Sequence, residues 1–310
     1  MYEHPHIVPI LASVAQGEVY MNFYPLCEHD LHTLFKEDPR PEHDPSLVWR
    51  QFMGLLSALR HVHAGHPNQY GYHFDIKCQN ILVRKGKWMI ADLGIAHGNN
   101  TDGASLTGRR PGSEEFGGPE MMVTRKFDIW GVACVGCIVF AWLLGGAGGV
   151  DQFREDRRVE ISEPHGVASI LYNFFQMWPD GVVIHPAVEE LFSKADDPIS
   201  KGAAAILKDM LSIDVHMRPT AEEAEKRFGE LLGVEPLALQ LPRAARIVST
   251  QTLHVPRLPL TSRKQRSAQL SVPASEGRQQ HCRLSITSPL LRPAANRRQH
   301  ERQASATKSP

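Results

Sequence analysis

An uncharged stretch, residues 130–150, constrains the fold of this chain more than any other feature. It is long enough to cross a bilayer, because a helix needs about 20 apolar residues to do so. The alternative is a helix that is buried on all sides at the centre of a large domain. Four glycines crowd its far end and would weaken a helix there, and Asp128 and Asp151 flank it where a membrane span would carry basic residues. We therefore expect a buried helix over about residues 127–144 rather than a span.

Two β-strands and a helix are predicted before this stretch. Residues 8–24 suggest a pair of strands, with Gln16-Gly17-Glu18 as the turn between them. Pro45 opens a helix in which apolar residues recur at helical spacing up to Val62, and Ser46 is the expected N-cap.

The segments after this helix alternate between short apolar runs and a long polar loop. Two runs flank Lys85-Gly86-Lys87, which predicts a hairpin over about residues 81–91. Residues 99–118, rich in Gly, Asn, Ser and Thr, predict a long functional loop. Three further helices are expected at about residues 186–195, 201–212 and 221–232.

The charge of the chain is divided between two regions. Residues from 241 onward contain thirteen Lys or Arg and only two acidic residues, a net charge of +11. The whole chain is neutral, so residues 1–240 carry −11. Periodicity also fades after Leu241, and Pro, Arg, Ser and Gln dominate. This composition predicts a disordered basic tail, and the opposite charges suggest a contact between the tail and the acidic region.

The cysteines and the N-terminus favour an intracellular protein. Five cysteines are too few for a disulfide framework, and the first residues have neither a basic nor an apolar signal region. We expect the cytoplasm or the nucleus. Cys134 and Cys137 could form a metal or redox pair, but two small buried residues on an apolar helix are the better interpretation. The histidines near residues 61–73 show no consistent zinc-ligand spacing.

Four polar residues have the spacing that phosphoryl transfer from a nucleotide needs. Such a site requires a carboxylate to orient the attacking hydroxyl, a cation near the transferred group, and oxygen ligands for magnesium. Asp75 and Lys77 can supply the first two. Asn80 and Asp92 can supply the oxygen ligands. The hairpin between residues 81 and 91 would return the chain and place Asp92 beside Asn80.

Five motifs in order extend this pattern, and with them the sequence resembles the protein kinase family from about residue 4 to residue 232. They are His73-Phe74-Asp75-Ile76-Lys77-Cys78-Gln79-Asn80, Asp92-Leu93-Gly94, Gly118-Pro119-Glu120, Asp128-Ile129-Trp130-Gly131-Val132-Ala133-Cys134 and Asp214-Val215-His216-Met217-Arg218-Pro219-Thr220. The resemblance implies an α+β kinase fold with a mostly helical large lobe, ATP and Mg²⁺ as cofactors, and a protein substrate.

The resemblance also implies a role for each matched residue. Asp75 would be the catalytic base and Lys77 its cation, of the serine/threonine type. Asn80 and Asp92 would bind magnesium, and Leu82 would lie under the adenine ring. The structural residues would be His73 as a packed scaffold residue, Ser113 against the catalytic loop, Glu120 and Arg218 as a buried ion pair, and Asp128 beneath the loop backbone.

Two departures from the family pattern matter for function. His4-Pro5-His6-Ile7-Val8 resembles the entry to the fourth strand of the small lobe, so residues 1–26 match only the end of that lobe, residues 27–234 the large lobe and residues 235–310 the tail. The Gly-rich loop and strand Lys that clamp ATP have no counterpart, and an unpaired strand edge is expected near residues 8–24. A truncated kinase or pseudokinase that acts as a binding module is therefore the alternative to an active serine/threonine kinase.

The second departure is Phe74, where many kinases have an Arg that pairs with a phosphorylated loop. We therefore expect any activity to be independent of phosphorylation at Ser105 or Thr107. In the tail, the basic clusters Arg263-Lys264-Gln265-Arg266 and Arg297-Arg298 have no interleaved aromatic residues, so nucleic-acid binding is not expected.

Overall fold

The computed structural model describes residues 3–16, 19–37, 44–65, 71–93, 112–120, 123–162, 168–235 and 282–286. Several predictions fall on other residues. Gly94, Ser105 and Thr107 lie outside the described part of the chain, as does most of the predicted loop over residues 99–118.

A three-stranded antiparallel sheet forms the smaller end of the molecule. The strands β1 (Ala12–Gln16) and β2 (Val19–Pro25) are the pair predicted over residues 8–24. The third strand, which we call β10 (Cys282–Ile286), comes from the basic tail and pairs with the other edge of β2. It is the one described segment of the tail.

A second antiparallel sheet connects the small end to the helices. It consists of β3 (His29–Asp30), β4 (Ile81–Arg84) and β5 (Lys87–Ile90), in that order. The last two strands form the predicted hairpin, and Lys85 and Gly86 both have positive φ at its turn. The N-terminal segment lies along β5, where the backbone N–H of Ile90 donates to the carbonyl of His6 at 2.8 Å.

Two helices follow the small sheet. The short helix α1 (Leu31–Glu37) has no strong signal in the sequence and was not predicted. The predicted helix α2 (Pro45–Ala64) is present, but Ser46 is not its N-cap. The cap is Asp44, whose carboxylate accepts a hydrogen bond from the backbone N–H of Ser46 at 2.9 Å. Pro45 then occupies the first helical turn, where its missing N–H costs nothing.

The uncharged stretch forms the centre of α3 (Arg125–Asp156), which is longer than predicted. Gly146 breaks it with φ 60° and ψ −149°, and a second helical segment continues to Asp156. Only Gly adopts this backbone readily. A Cβ atom on Gly149 would lie 2.5 Å from the carbonyl oxygen of Ala141, so the small residues allow the chain to turn closely against the helix. Of the most apolar 18-residue window, 89% is buried inside the protein. The window is long and apolar enough to span a membrane, but its burial supports the core-helix interpretation.

Two hairpins that the sequence analysis missed connect α3 to the remaining helices. They are β6 (Val159–Ser162) with β7 (Ala168–Leu171), and β8 (Phe175–Trp178) with β9 (Gly181–Ile184). The last helices are α4 (Pro186–Ser193), α5 (Pro198–Met210) and α6 (Ala221–Leu232), close to the predicted ranges.

The main core lies between α2, α3 and α6. Trp49 and Phe52 of α2 are fully buried and contact Phe228 of α6, with ring centroids 5.6 Å and 5.2 Å apart. On α3, a Cβ atom on Gly136 would lie 2.4 Å from a methyl group of Leu207, so close packing of α5 requires a glycine there. The architecture is the predicted α+β class, with a mostly helical larger part and small antiparallel sheets.

Candidate active site

The polar residues of the predicted site lie on one loop and at the end of the hairpin that follows it. Residues 71–77 lead into a 3-10 turn, Cys78–Asn80, and then into β4. The returning strand is closed by a hydrogen bond from the backbone N–H of Ala91 to the carbonyl of Asn80 at 2.8 Å. This bond places Ala91, the residue before Asp92, against Asn80.

The Asp75 carboxylate is held from three directions. Its Oδ2 atom accepts from Lys77 Nζ at 2.7 Å and from Asn80 Nδ2 at 3.0 Å. Its Oδ1 atom accepts from the backbone N–H of Ser113 at 2.9 Å. Asp75 is 9% exposed and Lys77 is half-buried. The carboxylate is therefore fixed in orientation before any substrate arrives, which general base catalysis and hydroxyl orientation both need.

Gly112 is required at the edge of this site. Its φ is 81°, which side chains rarely adopt, and a Cβ atom there would lie 2.3 Å from the carbonyl oxygen of Phe74. The close approach of this glycine brings the N–H of Ser113 to Asp75. Ser113 was predicted as a site residue but Gly112 was not, because a glycine before a serine in a polar loop is only a weak signal.

Asp128 holds the backbone of the loop from the start of α3. Its carboxylate accepts the N–H groups of His73 and Phe74 at 2.9 Å and 2.7 Å. His63, on the last turn of α2, contacts the same carboxylate at 2.9 Å, a partner that the sequence did not indicate. Burial alone would raise the pKa of Asp128, but the His63 hydrogen bond and the other partners outweigh it, and the pKa lies below its ordinary value.

His73 and Phe74 connect the loop to its surroundings in different ways. The ring Nε2 of His73, which is fully buried, is 2.9 Å from the carbonyl oxygen of Ala91, so His73 joins the loop to the end of the hairpin. Phe74 has a positive φ of 67° and stacks on Tyr72, with ring centroids 4.9 Å apart. Val123 and Phe127 complete this small apolar cluster. The position thus offers an apolar contact and no cation.

Asn80 and Asp92 are suitable ligands for a hard cation. Asn80 uses its amide nitrogen twice, toward the carbonyl and the carboxylate of Asp75, at 2.8 Å and 3.0 Å. Its Oδ1 atom is then the one that can contact a metal ion. Asp92 is exposed and has a positive φ of 58°. Oxygen donors of these two types match the preference of Mg²⁺. Leu82 lies half-buried on β4, opposite Asp30 and Met89.

Glu120 and Arg218 form a bidentate ion pair distant from Asp75 in sequence. The two guanidinium–carboxylate distances are 2.7 Å and 2.9 Å. Arg218 is 1% exposed and also donates to the carbonyls of Ser212 and Lys126. Its guanidinium lies 4.8 Å from the ring of Trp130. The pair therefore connects the segment after Ser113 to the connection between α5 and α6.

The cysteines do not form a metal centre within the described residues. Cys134 and Cys137 are free thiols, fully buried on α3, and burial raises the pKa of both well above the ordinary range. No group of three or more His, Cys, Asp or Glu in the described part of the chain could hold a metal ion. His61 stacks on His4, and His63 contacts Asp128, so these two histidines have partners other than a metal ion.

The family of the chain follows from this geometry together with a match over most of its length. The family described as "Protein kinase domain" matches residues 1–227. The chain belongs to the protein kinase family. The loop that carries Asp75, the Glu120–Arg218 ion pair and Asp128 at the start of α3 all lie inside the matched region.

Curated relatives of this kinase are protein kinases from plants and a nematode. "Mitogen-activated protein kinase 17" of Oryza sativa subsp. japonica is 26% identical over 248 residues, covering 72% of this chain and 40% of the relative. "Mitogen-activated protein kinase 15" of Arabidopsis thaliana is 28% identical, covering 67% of this chain and 36% of the relative. "Cyclin-dependent kinase 12" of Caenorhabditis elegans is 32% identical over 129 residues, covering 37% of this chain and 16% of the relative. The kinase therefore spans two fifths or less of the length of these relatives.

Proposed function

We propose that this kinase transfers the γ-phosphoryl group of ATP to serine or threonine hydroxyls of a protein substrate. The observation that carries the proposal is the fixed Asp75 carboxylate, held by Lys77, Asn80 and the N–H of Ser113. A carboxylate that was only structural would not need a half-exposed cation and a potential metal ligand as its neighbours. The names of the relatives are consistent with this reaction class.

Each residue of the site has one task in the proposed reaction. Asp75 orients the substrate hydroxyl and accepts its proton as the oxygen attacks the γ-phosphorus. Lys77, 2.7 Å from Asp75, balances charge that develops on the transferred group. The Asn80 amide oxygen and the Asp92 carboxylate would hold Mg²⁺, which neutralises charge on the phosphates when it is bound. Leu82 would contact the adenine from β4.

The serine/threonine class rests on two residues. Lys77 lies two residues after Asp75, and the N–H of Ser113 fixes Asp75 from the opposite side. The resemblance to the protein kinase family assigns a Lys at position 77 and a small hydroxyl residue at position 113 to the serine/threonine class.

The competing proposal is a binding module that uses the same fold without catalysis. One observation favours it: neither β1 nor β2, the strands of the small sheet nearest the connection to the large lobe, contains a Lys or Arg. The small sheet would then offer no cation from these two strands to the α- and β-phosphates of a nucleotide, and weak nucleotide binding would limit the reaction more than the phosphoryl-transfer step. The two proposals differ in nucleotide binding and turnover.

The decisive experiment measures phosphate transfer from Mg·ATP to a mixed serine/threonine peptide library by the full chain. We expect Asp75→Asn to lower kcat by about 10²–10⁴-fold, while a thermal shift by Mg·ATP persists. Asp180→Asn is the matched control, because Asp180 is exposed in the β8–β9 turn. Wild-type protein that binds no nucleotide and transfers no phosphate would leave only the binding module. Equal activity of Asp75→Asn and wild type would rule out Asp75 as the base.

A further inference from the structure

The edge of β2 that faces away from β1 is occupied by a segment from the far end of the chain. The pairing of β10 with β2 is antiparallel and extends over five residues, from Cys282 opposite Pro25 to Ile286 opposite Met21. An unpaired strand edge was predicted in this region of the small sheet, near residues 8–24. Unpaired N–H and C=O groups along such an edge would recruit another strand.

The residue pattern of the two strands agrees with this register. Directly opposed residues of an antiparallel pair lie on the same face of the sheet. Leu284 is opposite Phe23 and Ile286 is opposite Met21, so apolar residues share one face. Ser285 is opposite Asn22 on the other face, where Ser13 of β1 also donates to Asn22 Oδ1 at 2.7 Å.

A shift of the register by one residue would destroy this agreement. It would place Ser285 opposite an apolar residue of β2 and move Leu284 to the polar face. The alternation in Cys282-Arg283-Leu284-Ser285-Ile286 therefore excludes every register that is shifted by an odd number of residues. Residues 268–272 of the tail alternate in the same way, so it is the observed pairing with β2, and not the alternation alone, that identifies residues 282–286 as the strand.

We propose that residues 282–286 are a tethered strand that covers the edge of β2 in the same molecule. Residues 236–281 connect it to the end of α6, and a chain of that length can reach at most about 150 Å. The distance is therefore no obstacle. A tether of this kind gives an effective concentration of up to about the mM range, which favours the chain's own strand over a second copy at µM protein concentration.

The pairing of β10 with β2 places a segment of the tail next to the connection between the small sheet and the large lobe. Its partner β2 ends at Pro25 and leads to Glu28, whose N–H donates to the carbonyl of Val83 on β4 at 3.0 Å. Strand β10 thus pairs with the last strand before the connection to the large lobe. Its docking restrains the small sheet.

A disulfide trap tests both the register and the occupant. The test variant carries Asn22→Cys and Ser285→Cys in a background in which Cys27 and Cys282 are changed to Ser. On mild oxidation it should form an intramolecular disulfide at least tenfold faster than either of two control pairs. The first control, Asn22→Cys with Leu284→Cys, tests the shifted register. The second, Asn22→Cys with Ser267→Cys, tests random collisions of the tail. Mass spectrometry of the linked peptides identifies the product.

The possible outcomes separate the alternatives. Fast monomeric cross-linking of the opposed pair alone supports the tethered strand. Equal rates for all three pairs would overturn the register. A cross-linked dimer whose yield rises with protein concentration would show that a second copy supplies the strand, and would overturn the proposal of an intramolecular occupant.

Hydrogen exchange provides an independent measurement without cysteines. Leu284→Pro removes a backbone donor and disrupts strand pairing, so the β2 amides should exchange at least tenfold faster than in the wild type. Leu290→Pro, outside the paired segment, is the matched control and should leave β2 unchanged. Unchanged protection of β2 in Leu284→Pro would contradict docking, whatever the cross-linking shows.

Discussion

At the scale of single residues, the site depends on backbone positions that only glycine adopts without strain. Gly112 and Gly86 have similar positive φ values, 81° and 73°, but different surroundings. An alanine at Gly86 would meet nothing within 4 Å, whereas one at Gly112 would overlap the carbonyl oxygen of Phe74. The two positions therefore separate the cost of positive φ from the cost of close approach.

We predict that Gly86→Ala lowers the free energy of unfolding by about 1–2 kcal/mol and leaves kcat within a factor of two. Gly112→Ala should cost more stability and also lower kcat, because it displaces the N–H of Ser113 from Asp75. Chemical denaturation and steady-state kinetics of both variants measure this. Equal kinetic effects of the two substitutions would show that the Ser113 contact does not matter for catalysis.

Phe74 carries a second prediction at this scale. It stacks on Tyr72 in an apolar cluster, so it provides no cation for a phosphorylated loop. We predict that a Ser105→Ala, Thr107→Ala double variant retains wild-type activity, measured with protein that was treated with phosphatase and with untreated protein. Loss of activity in the double variant or after phosphatase treatment would count against this.

The residues that sequence could and could not identify differ in how local their signals are. Asp75 and Asn80 were predicted to lie together because one short loop contains both, and their side chains are 3.0 Å apart. His63 was not assigned to Asp128, since a contact between the end of α2 and the start of α3 leaves no trace in spacing. The prediction of Ser46 as the N-cap was wrong, because Asp44 also has a suitable side chain and only the backbone geometry distinguishes the two residues.

At the scale of elements, Asp128 couples α3 to the catalytic loop. Its folded pKa lies below the value of about 3.9 expected for an unfolded Asp. A depressed pKa means that the unfolded chain binds the proton more readily. The stability that this carboxylate contributes is therefore complete above about pH 4 and is lost as the pH falls through the folded pKa.

We predict that Asp128→Asn lowers the free energy of unfolding by roughly 2–4 kcal/mol at neutral pH, because the backbone N–H groups of His73 and Phe74 lose an anionic acceptor. The variant should also lose less stability than the wild type between pH 4 and pH 2. Denaturant titrations across this range measure both effects. Asp151→Asn, at an exposed site on the same helix, is the control and should follow the wild type. An unchanged acid slope in Asp128→Asn would contradict the pKa argument.

Elements with long, periodic sequences were predictable and short ones were not. Helix α6 was predicted at about residues 221–232 from its apolar periodicity, and the structure confirms it. Thr220 and Glu223 form a capping box at its start, and Gly233 ends it with positive φ. Strands β6 to β9 are four residues each and include exposed apolar residues such as Met177 and Trp178. Their pattern is too short to be distinguished from loops. The end of α3 was missed because glycine lowers helix propensity, yet the tertiary packing overrides it.

At the scale of the whole molecule, the pairing of β10 with β2 joins residues that are far apart in sequence. No local signal could predict which strand a five-residue alternating segment would join, and the composition of its surroundings indicates disorder. The register agreement becomes visible only after both strands are known. The opposite charges of the two regions act over longer distances and need no register at all.

Electrostatic attraction between the tail and residues 1–240 should make the molecule more compact at low salt. We predict that the radius of gyration, measured by small-angle scattering of the full chain, rises by more than about 10% between 50 mM and 500 mM salt, as the Debye length shortens.

Replacing Arg263, Lys264, Arg266, Arg297 and Arg298 with Gln should reduce this salt-dependent rise in the radius of gyration. A control with Lys194, Lys208 and Lys226, all exposed on the large lobe, changed to Gln should retain it, because the lobe becomes more acidic. A radius that is constant or falls with salt would contradict the attraction. The disulfide between positions 22 and 285 should still form at high salt, because the backbone hydrogen bonds that pair β10 with β2 do not depend on net charge.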